Sequence, residues 1–520
     1  MSAGSGLFKV LSQDAVGSLS TLSRANVMLT AVLGLVVLFL ADSLRSWHRL
    51  SHVPGPFWAG FSKAWMVRQS LKGRQPYAIQ EANEKYGPST MLRSRLIHTR
   101  LSSGNNIGSL VRIGPNELAT DDPKLLRRIM ASRSAYSRGP WYNALRFEPG
   151  KDNLFSMRDD DAHAKLRNKM AAGYSGKENE SLERTIDEHI ARLIDLIETK
   201  YLSSTQAYRP VDFAQKIQYF TLDVISDLAF GHPFGYMEQD DDVFDLSKSR
   251  APSFLGLLPK ESDKLGFGAF IGVANKKVAE RFGPDATSKP DMLGSFIRHG
   301  LDQEQASRES LLNVVAGSDT SATTIRMIML SLLSNPIAYK KLQKEIDDGI
   351  ASGSISSPIT DAEARRLPYL QAAIQEGLRI KAPAAGPLFK TVPKGGDHIQ
   401  GRFIPEGTQI GTSPFGIYHS KHVFGQDAGL FSPERWLDAD PARVEEMSGL
   451  VNLVFSSGKY QCLGKPVALI ELNKIFVEAS QYRGPWFLGC VRPLHIMNAG
   501  IWLIEDFPVR IIRRDNGATA

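Results

Sequence analysis

The chain has 520 residues, of which 42% are hydrophobic and 22% charged, a balance that supplies a large buried core and excludes a disordered, collagenous or small disulfide-stapled protein. Its 62 Lys and Arg against 55 Asp and Glu leave a formal charge of +7, spread without blocks, zinc-ligand spacing or aromatic-basic interleaving, so no nucleic-acid partner is expected. Cys462 and Cys490 can form at most one bridge, which excludes a disulfide framework and points to a reducing compartment.

The first element is an apolar run. Between Arg24 and Asp42 lie 17 uncharged residues, Ala25 to Ala41, enough for a helix of ~25 Å, which is near the lower limit for crossing a thin bilayer. A single-pass membrane anchor over residues 1–50 is the reading. The alternative, a cleaved signal peptide, suffers because the run starts late and no small-x-small cleavage site follows it. Arg45, His48 and Arg49 after the run, against Lys9 and Arg24 before it, favour a cytosolic body, with the endoplasmic reticulum as the expected membrane. Pro54-Gly55-Pro56 then gives a stiff elbow. Beyond the anchor, only scattered apolar contacts are expected on the surface.

The body, residues 51–520, has no linker and reads as one domain, mainly α with a small β-sheet region. Pro88 to Gly108 carries three arginines, no acid and no periodicity, and reads as an inserted loop. Leu110 to Gly114 and Val509 to Ile512 read as strands. Leu182 to Tyr201 and Val314 to Leu333 read as helices, the second stopped by Asn335-Pro336. Thr360 with Glu363 forms a capping-box pattern opening a helical region that breaks at Pro368 and ends at Arg379.

The sharpest motif is Phe455-Ser-Ser-Gly458-Lys459-Tyr-Gln-Cys462-Leu-Gly464, a spacing expected by chance on the order of 10⁻³ times per chain of this composition. Its two glycines permit a tight loop whose N–H groups can converge on one sulfur ahead of a helix. Taken alone, a small buried cysteine in a turn remains the alternative. Ala316-Gly317-Ser318-Asp319-Thr320 places polar residues inside an apolar helix; the Thr hydroxyl there either serves chemistry or bonds back to a preceding carbonyl. Glu376 and Arg379 stand at i and i+3, with Arg435 in Pro433-Glu-Arg-Trp436 downstream, and His163 and Arg167 stand one helical turn apart. Taken alone, each pair reads better as solvated surface.

Together, and in this order, these motifs resemble the cytochrome P450 family, and the wording FSSGKYQCLGK and NAGIWLIEDF is most similar to its filamentous-fungal, pisatin-demethylase-like branch. The resemblance implies a P450-like fold behind an N-terminal transmembrane helix and a haem whose iron is held by the Cys462 thiolate. It assigns His163, Arg167, Phe455, Gly458, Lys459 and Gly464 to cofactor binding, Asp319 and Thr320 to proton delivery, and Glu376, Arg379 and Arg435 to structure. The implied reaction is a monooxygenation of an apolar small molecule with O₂, in secondary-metabolite biosynthesis. A detoxifying hydroxylase or demethylase is one alternative, and a haem protein inactivated by its departures from the pattern is another. Electrons are expected from an NADPH-dependent, flavin-containing reductase, because no Gly-x-Gly-x-x-Gly follows a strand here. Trp141, Tyr142, Ala316, Ala384 and Ala385 are expected to line the pocket, with Ala316 and Gly317 leaving room for oxygen and water. Three departures stand out: Tyr460 where the family carries Arg or His, with Lys459 as the substitute cation; the 88–108 insertion; and shortened or atypical segments at 240–258 and 481–493.

Overall fold

In the computed structural model, the described residues are 5–87, 109–244, 263, 266–284, 286–481, 495–498 and 500–513. Residues 88–108, read above as an inserted loop, Cys490, and most of the 240–258 and 481–493 segments lie outside them.

The architecture is mainly helical with small sheets. At its centre runs a helix from Gln303 to Ser334, opened by the Asp302 carboxylate accepting the Gln305 N–H at 2.8 Å and ended before Asn335-Pro336. Its principal neighbour is the helix Phe213–Phe230, buried on nearly every face, N-capped by Asp212 and closed by Gly231 at φ 69°. The two approach closely at Gly317, where a Cβ would come within 2.8 Å of Ile225 Cγ1. Gly317 therefore serves helix packing, and only Ala316 of the expected small pair faces open space.

A five-stranded sheet lies beside the helices in the order Leu110–Arg112, Glu117–Thr120, Gln409–Thr412, Lys390–Thr391, Ser137–Arg138. The first two pair antiparallel with Val111 opposite Ala119, and Glu117–Thr120 runs parallel to Gln409–Thr412. The expected C-terminal strand is two: Pro508–Val509 pairs with Val211–Asp212 and Ile511–Ile512 with Leu202–Ser203, because the facing chain changes between them. The helix from Leu182 is regular to Leu196 and widens to a π turn over Ile197–Tyr201, where the Thr199 hydroxyl donates to the Asp195 carbonyl at 2.7 Å. The capping box forms as expected, with Thr360 accepting from the Glu363 N–H and Glu363 reaching back, and the helices Asp361–Ala364 and Pro368–Ile380 follow.

At the N-terminus one helix extends from Ser5 to Arg49. Its part Asn26–Arg49, 24 residues with an 18-residue window of mean hydropathy 2.4, spans about 36 Å. That exceeds the 17-residue run read from sequence, because the helix continues through polar Asp42 and Ser43 to the body.

Candidate active site

The Cys462 loop is built from two short 3-10 turns, Asn452–Phe455 and Gly458–Tyr460, feeding the helix Lys465–Gln481. Gly458 sits at φ 63°, and a Cβ there would meet the Met130 carbonyl oxygen at 2.6 Å, so the loop presses on backbone that only glycine tolerates. The Cys462 N–H donates to the Phe455 carbonyl at 2.8 Å, and the N–H groups of Gly464 and Lys465 are directed at the Cys462 sulfur. Burial pushes the thiol pKa up, while these two N–H groups and the charges of Arg167 and Lys465 pull it back. Cys462 lies deep among protein atoms and is nevertheless solvent-accessible. Depth with exposure means that it lines an internal space. Gly464 is less constrained: a Cβ there would stand 3.8 Å from the sulfur, an ordinary contact.

Around Tyr460 the structure gathers basic side chains from four segments. His163 and Arg167 lie on the helix Asp160–Met170; the His163 ring is 5.0 Å from that of Tyr460, and Arg167 donates to the Gln461 carbonyl. Arg138 lies 4.4 Å from the Tyr460 ring centre and Lys390 Nζ 3.1 Å from it. These two are direct cross-strand partners, an arrangement that like charges disfavour. Lys459 is engaged by Asp160 at 2.6 Å, and the Tyr460 hydroxyl donates to the same carboxylate. Lys459 is thus paired with a carboxylate, and the groups over the Tyr460 ring with no carboxylate partner of their own are the Arg138 guanidinium and the Lys390 amine.

The buried His163 Nδ1, Arg138 Nε and Lys390 Nζ have no hydrogen-bond partner among the described residues. Burial, with Arg138 and Lys459 nearby, pushes Lys390 down to about 6; burial, with Arg138 and Arg167, pushes His163 down to about 3. Unpartnered nitrogens in a buried basic cluster, beside the charged Arg138 and Arg167, are what a ligand carrying carboxylates would satisfy, and its negative charge would draw protons back onto His163 and Lys390. Sequence reasoning missed Arg138 and Lys390, since each sits on a two-residue strand with no motif around it.

On the central helix, Ala316 is open to solvent although the helix is internal. The Thr320 hydroxyl donates to the Ala316 carbonyl at 2.8 Å, and Thr324 repeats this toward the Thr320 carbonyl at 2.9 Å, the back-bonded geometry. Asp319 is half-buried and lines a cavity of about 510 Å³, with Val315, Tyr219, Phe270 and Ile504 among its walls. Of the expected pocket residues, Tyr142 is buried beneath Arg138, Trp141 packs edge-on against Phe389, Ala384 bridges Ile501, and Ala385 donates its N–H to the Gly500 carbonyl at 2.9 Å. A further group went unread: Glu471, on the helix behind Cys462, is fully buried against Ser321, and burial raises its pKa to about 8.

Glu376 and Arg379 form a buried centre remote from solvent. Arg379 spends all five donors, two on Glu376 at 2.8 and 2.7 Å and three on the carbonyls of Tyr418, Ala428 and Leu430. Glu376 also accepts from Arg435 at 3.3 Å, from the Trp436 indole at 2.9 Å and from the Ser432 N–H at 2.9 Å. Both side chains are 0% exposed. The pair ties the helix Pro368–Ile380 to the segment entering the Cys462 loop.

A family model described as Cytochrome P450 matches residues 111–256 and 269–479. Curated relatives include Cytochrome P450 monooxygenase ABA1 of Pyricularia oryzae, 41% identical over 86% of this chain and 90% of its own length. Cytochrome P450 monooxygenase aba1 of Botryotinia fuckeliana is 37% identical over 89% and 92%. Among solved structures, the cytochrome P450DA heme domain superposes with a TM-score of 0.70 at 16% identity, covering 89% of this chain and 96% of that one.

Proposed function

Because this chain belongs to the cytochrome P450 family, whose members are haem-dependent monooxygenases that use O₂ and a redox partner on small molecules, we propose that it is a membrane-anchored member acting on an apolar compound in secondary-metabolite biosynthesis. The observation that carries the site assignment is the Cys462 loop: a sulfur deep in the fold, open to internal space, with two backbone N–H groups directed at it.

The residues present fit the cofactor. Cys462 would hold the iron as thiolate, and Arg138, His163, Arg167 and Lys390 would take the porphyrin carboxylates, which the three unpartnered nitrogens among them favour. The bound haem supplies O₂ activation and electron transfer, tuned by its thiolate ligand. The chain's own contributions are positional. The Gly464 and Lys465 N–H groups temper the sulfur's charge. The Phe455 and Gly458 turns aim it, and Phe455 stacks under Lys465 Nζ at 5.3 Å. Asp319 would hold a proton at the cavity wall, and Thr320 would release its bond to the Ala316 carbonyl and orient water toward the reacting centre. Val315 and Phe270 give that wall apolar surface for a substrate. The electron donor in this reading is a flavin-containing, NADPH-dependent reductase, and the membrane is the endoplasmic reticulum, with the body cytosolic.

The test is the carbon monoxide difference spectrum of the reduced full chain and of Cys462→Ala, with reductase-supplied turnover measured alongside. The wild type is expected to give the thiolate band and the variant none; a thiolate band that survives the substitution overturns the ligand assignment. A thiolate band without turnover on any apolar compound offered would favour the inactivated-haem-protein reading instead.

A further inference from the structure

Arg138 is placed in two steps. Its backbone is fixed by the strand Ser137–Arg138, which pairs antiparallel with Lys390–Thr391, but a strand leaves the direction of so long a side chain open. A turn steers the guanidinium. Arg138 Nη1 donates to the Leu154 carbonyl at 2.7 Å and to the Met157 carbonyl at 3.3 Å, and the group lies 5.0 Å from the Tyr142 ring centre and 5.5 Å from that of Phe155.

That turn is itself held from two sides. Within it, Asn153 Oδ1 accepts the N–H groups of Phe155 at 3.0 Å and Ser156 at 2.8 Å. On the outer side Arg146 clamps Asp152 with two bonds, at 2.7 and 2.9 Å. On the inner side the Leu154 N–H donates to both carboxyl oxygens of Glu309, at 3.0 and 3.1 Å. Glu309 stands on the central helix two turns before Ala316 and is 0% exposed. Its hydrogen-bond partner among the described residues is this one N–H. A carboxyl buried there costs stability, and what it provides is a fixed acceptor for the turn. Leu154 is thus gripped through its backbone on both sides, the N–H by Glu309 and the carbonyl by Arg138.

We infer that Glu309 is a positioning residue for the cofactor: by holding the Leu154 backbone it aims the Arg138 guanidinium at a porphyrin carboxylate, and so governs how long haem is retained. This deepens the cofactor-site reading proposed above and rests on it. The grip is a hydrogen bond rather than a charge, because burial raises the Glu309 pKa to about 8 and keeps the carboxyl protonated at neutral pH. An amide in its place would serve the same N–H.

The experiment follows haem transfer from the ferric full-length holoenzyme to excess apomyoglobin at neutral pH, with the carbon monoxide spectrum and melting temperature recorded for each variant. Glu309→Gln should release haem within about twofold of the wild-type rate, and Glu309→Leu about tenfold faster. Arg138→Met should also speed release, and adding Glu309→Leu to it should add little, because the two residues act on one contact. Three outcomes overturn the positioning role: Glu309→Leu at the wild-type rate while Arg138→Met is fast, Glu309→Gln as fast as Glu309→Leu, or a Glu309→Leu effect of equal size with and without the Arg138 guanidinium, which would assign Glu309 to general stability. Release from Arg138→Met at the wild-type rate removes Arg138 from the cofactor-site reading and this inference with it. Where Glu309→Leu yields no holoprotein, hydrogen exchange of the wild type decides: the Leu154 amide should be protected, and exchange at the rate of an unfolded chain overturns the grip.

Discussion

Thr320 is the residue at which packing and chemistry are most directly opposed. Its hydroxyl is committed to the Ala316 carbonyl at 2.8 Å, a bond worth about 0.5–1.5 kcal/mol net. Thr320→Val keeps the shape, so the melting temperature should move little. If the hydroxyl is exchanged onto a proton-bearing water during turnover, as proposed, the ratio of product to NADPH consumed should fall and hydrogen peroxide should rise; an unchanged ratio makes Thr320 structural. Glu376 allows no such ambiguity, because it anchors Arg379, Arg435, Trp436 and Ser432 at once. Removing one partner of a buried ion pair costs about 3–5 kcal/mol. Glu376→Ala should therefore yield little folded protein, and the check is recovery of detergent-extracted, haem-loaded protein against wild type.

Among the helices, the contact between Lys465–Gln481 and the central helix carries a titration. Glu471 faces Ser321 there, and burial raises its pKa from the ordinary 4.5 to about 8. A carboxyl whose folded-state pKa is raised stabilises the fold through its proton. That contribution is complete below pH 4.5, where both states are protonated, and is lost as pH rises through about 8. Glu309 behaves alike: burial lifts it to about 8, although it accepts the Leu154 N–H. Glu471→Gln keeps the shape and removes one of the two protons. Melting temperature measured from about pH 5 to pH 8 should decline less steeply in Glu471→Gln than in wild type; parallel curves would show that Glu471 ionises without cost.

For the molecule as a whole, the residues that flank 88–108, the segment read from sequence as an inserted loop, stand close together. A Cβ on Gly87 would lie 2.6 Å from Ser109 Cβ, and Asn83 Nδ2 donates to the Ser109 carbonyl at 3.3 Å. The flanking residues already touch, so joining Gly87 to Ser109 asks little of the chain between the helix Gln75–Tyr86 and the first strand. A variant lacking residues 88–108 should fold, with the carbon monoxide spectrum and melting temperature of the full chain; aggregation or loss of the thiolate band would show that the segment is required for folding.

The sequence by itself determined the family, the mainly helical class, the central helix, the capping box at Thr360 and the apolar N-terminal helix, because each is written in local spacing: a 3.6-residue period, a turn residue at a set offset, or glycines around a cysteine. It also named the Glu376–Arg379 pair, but could not distinguish a solvated i,i+3 pair from a buried one. That needed the Tyr418, Ala428 and Leu430 carbonyls, which come from other parts of the chain. The same holds at the Cys462 site. Arg138 and Lys390 meet only because two short strands pair in the five-stranded sheet, and Gly317 turns to Ile225 only once two helices cross. Local propensity is legible along the chain, whereas burial and charge compensation belong to residues distant in sequence, and tertiary packing alone brings them together.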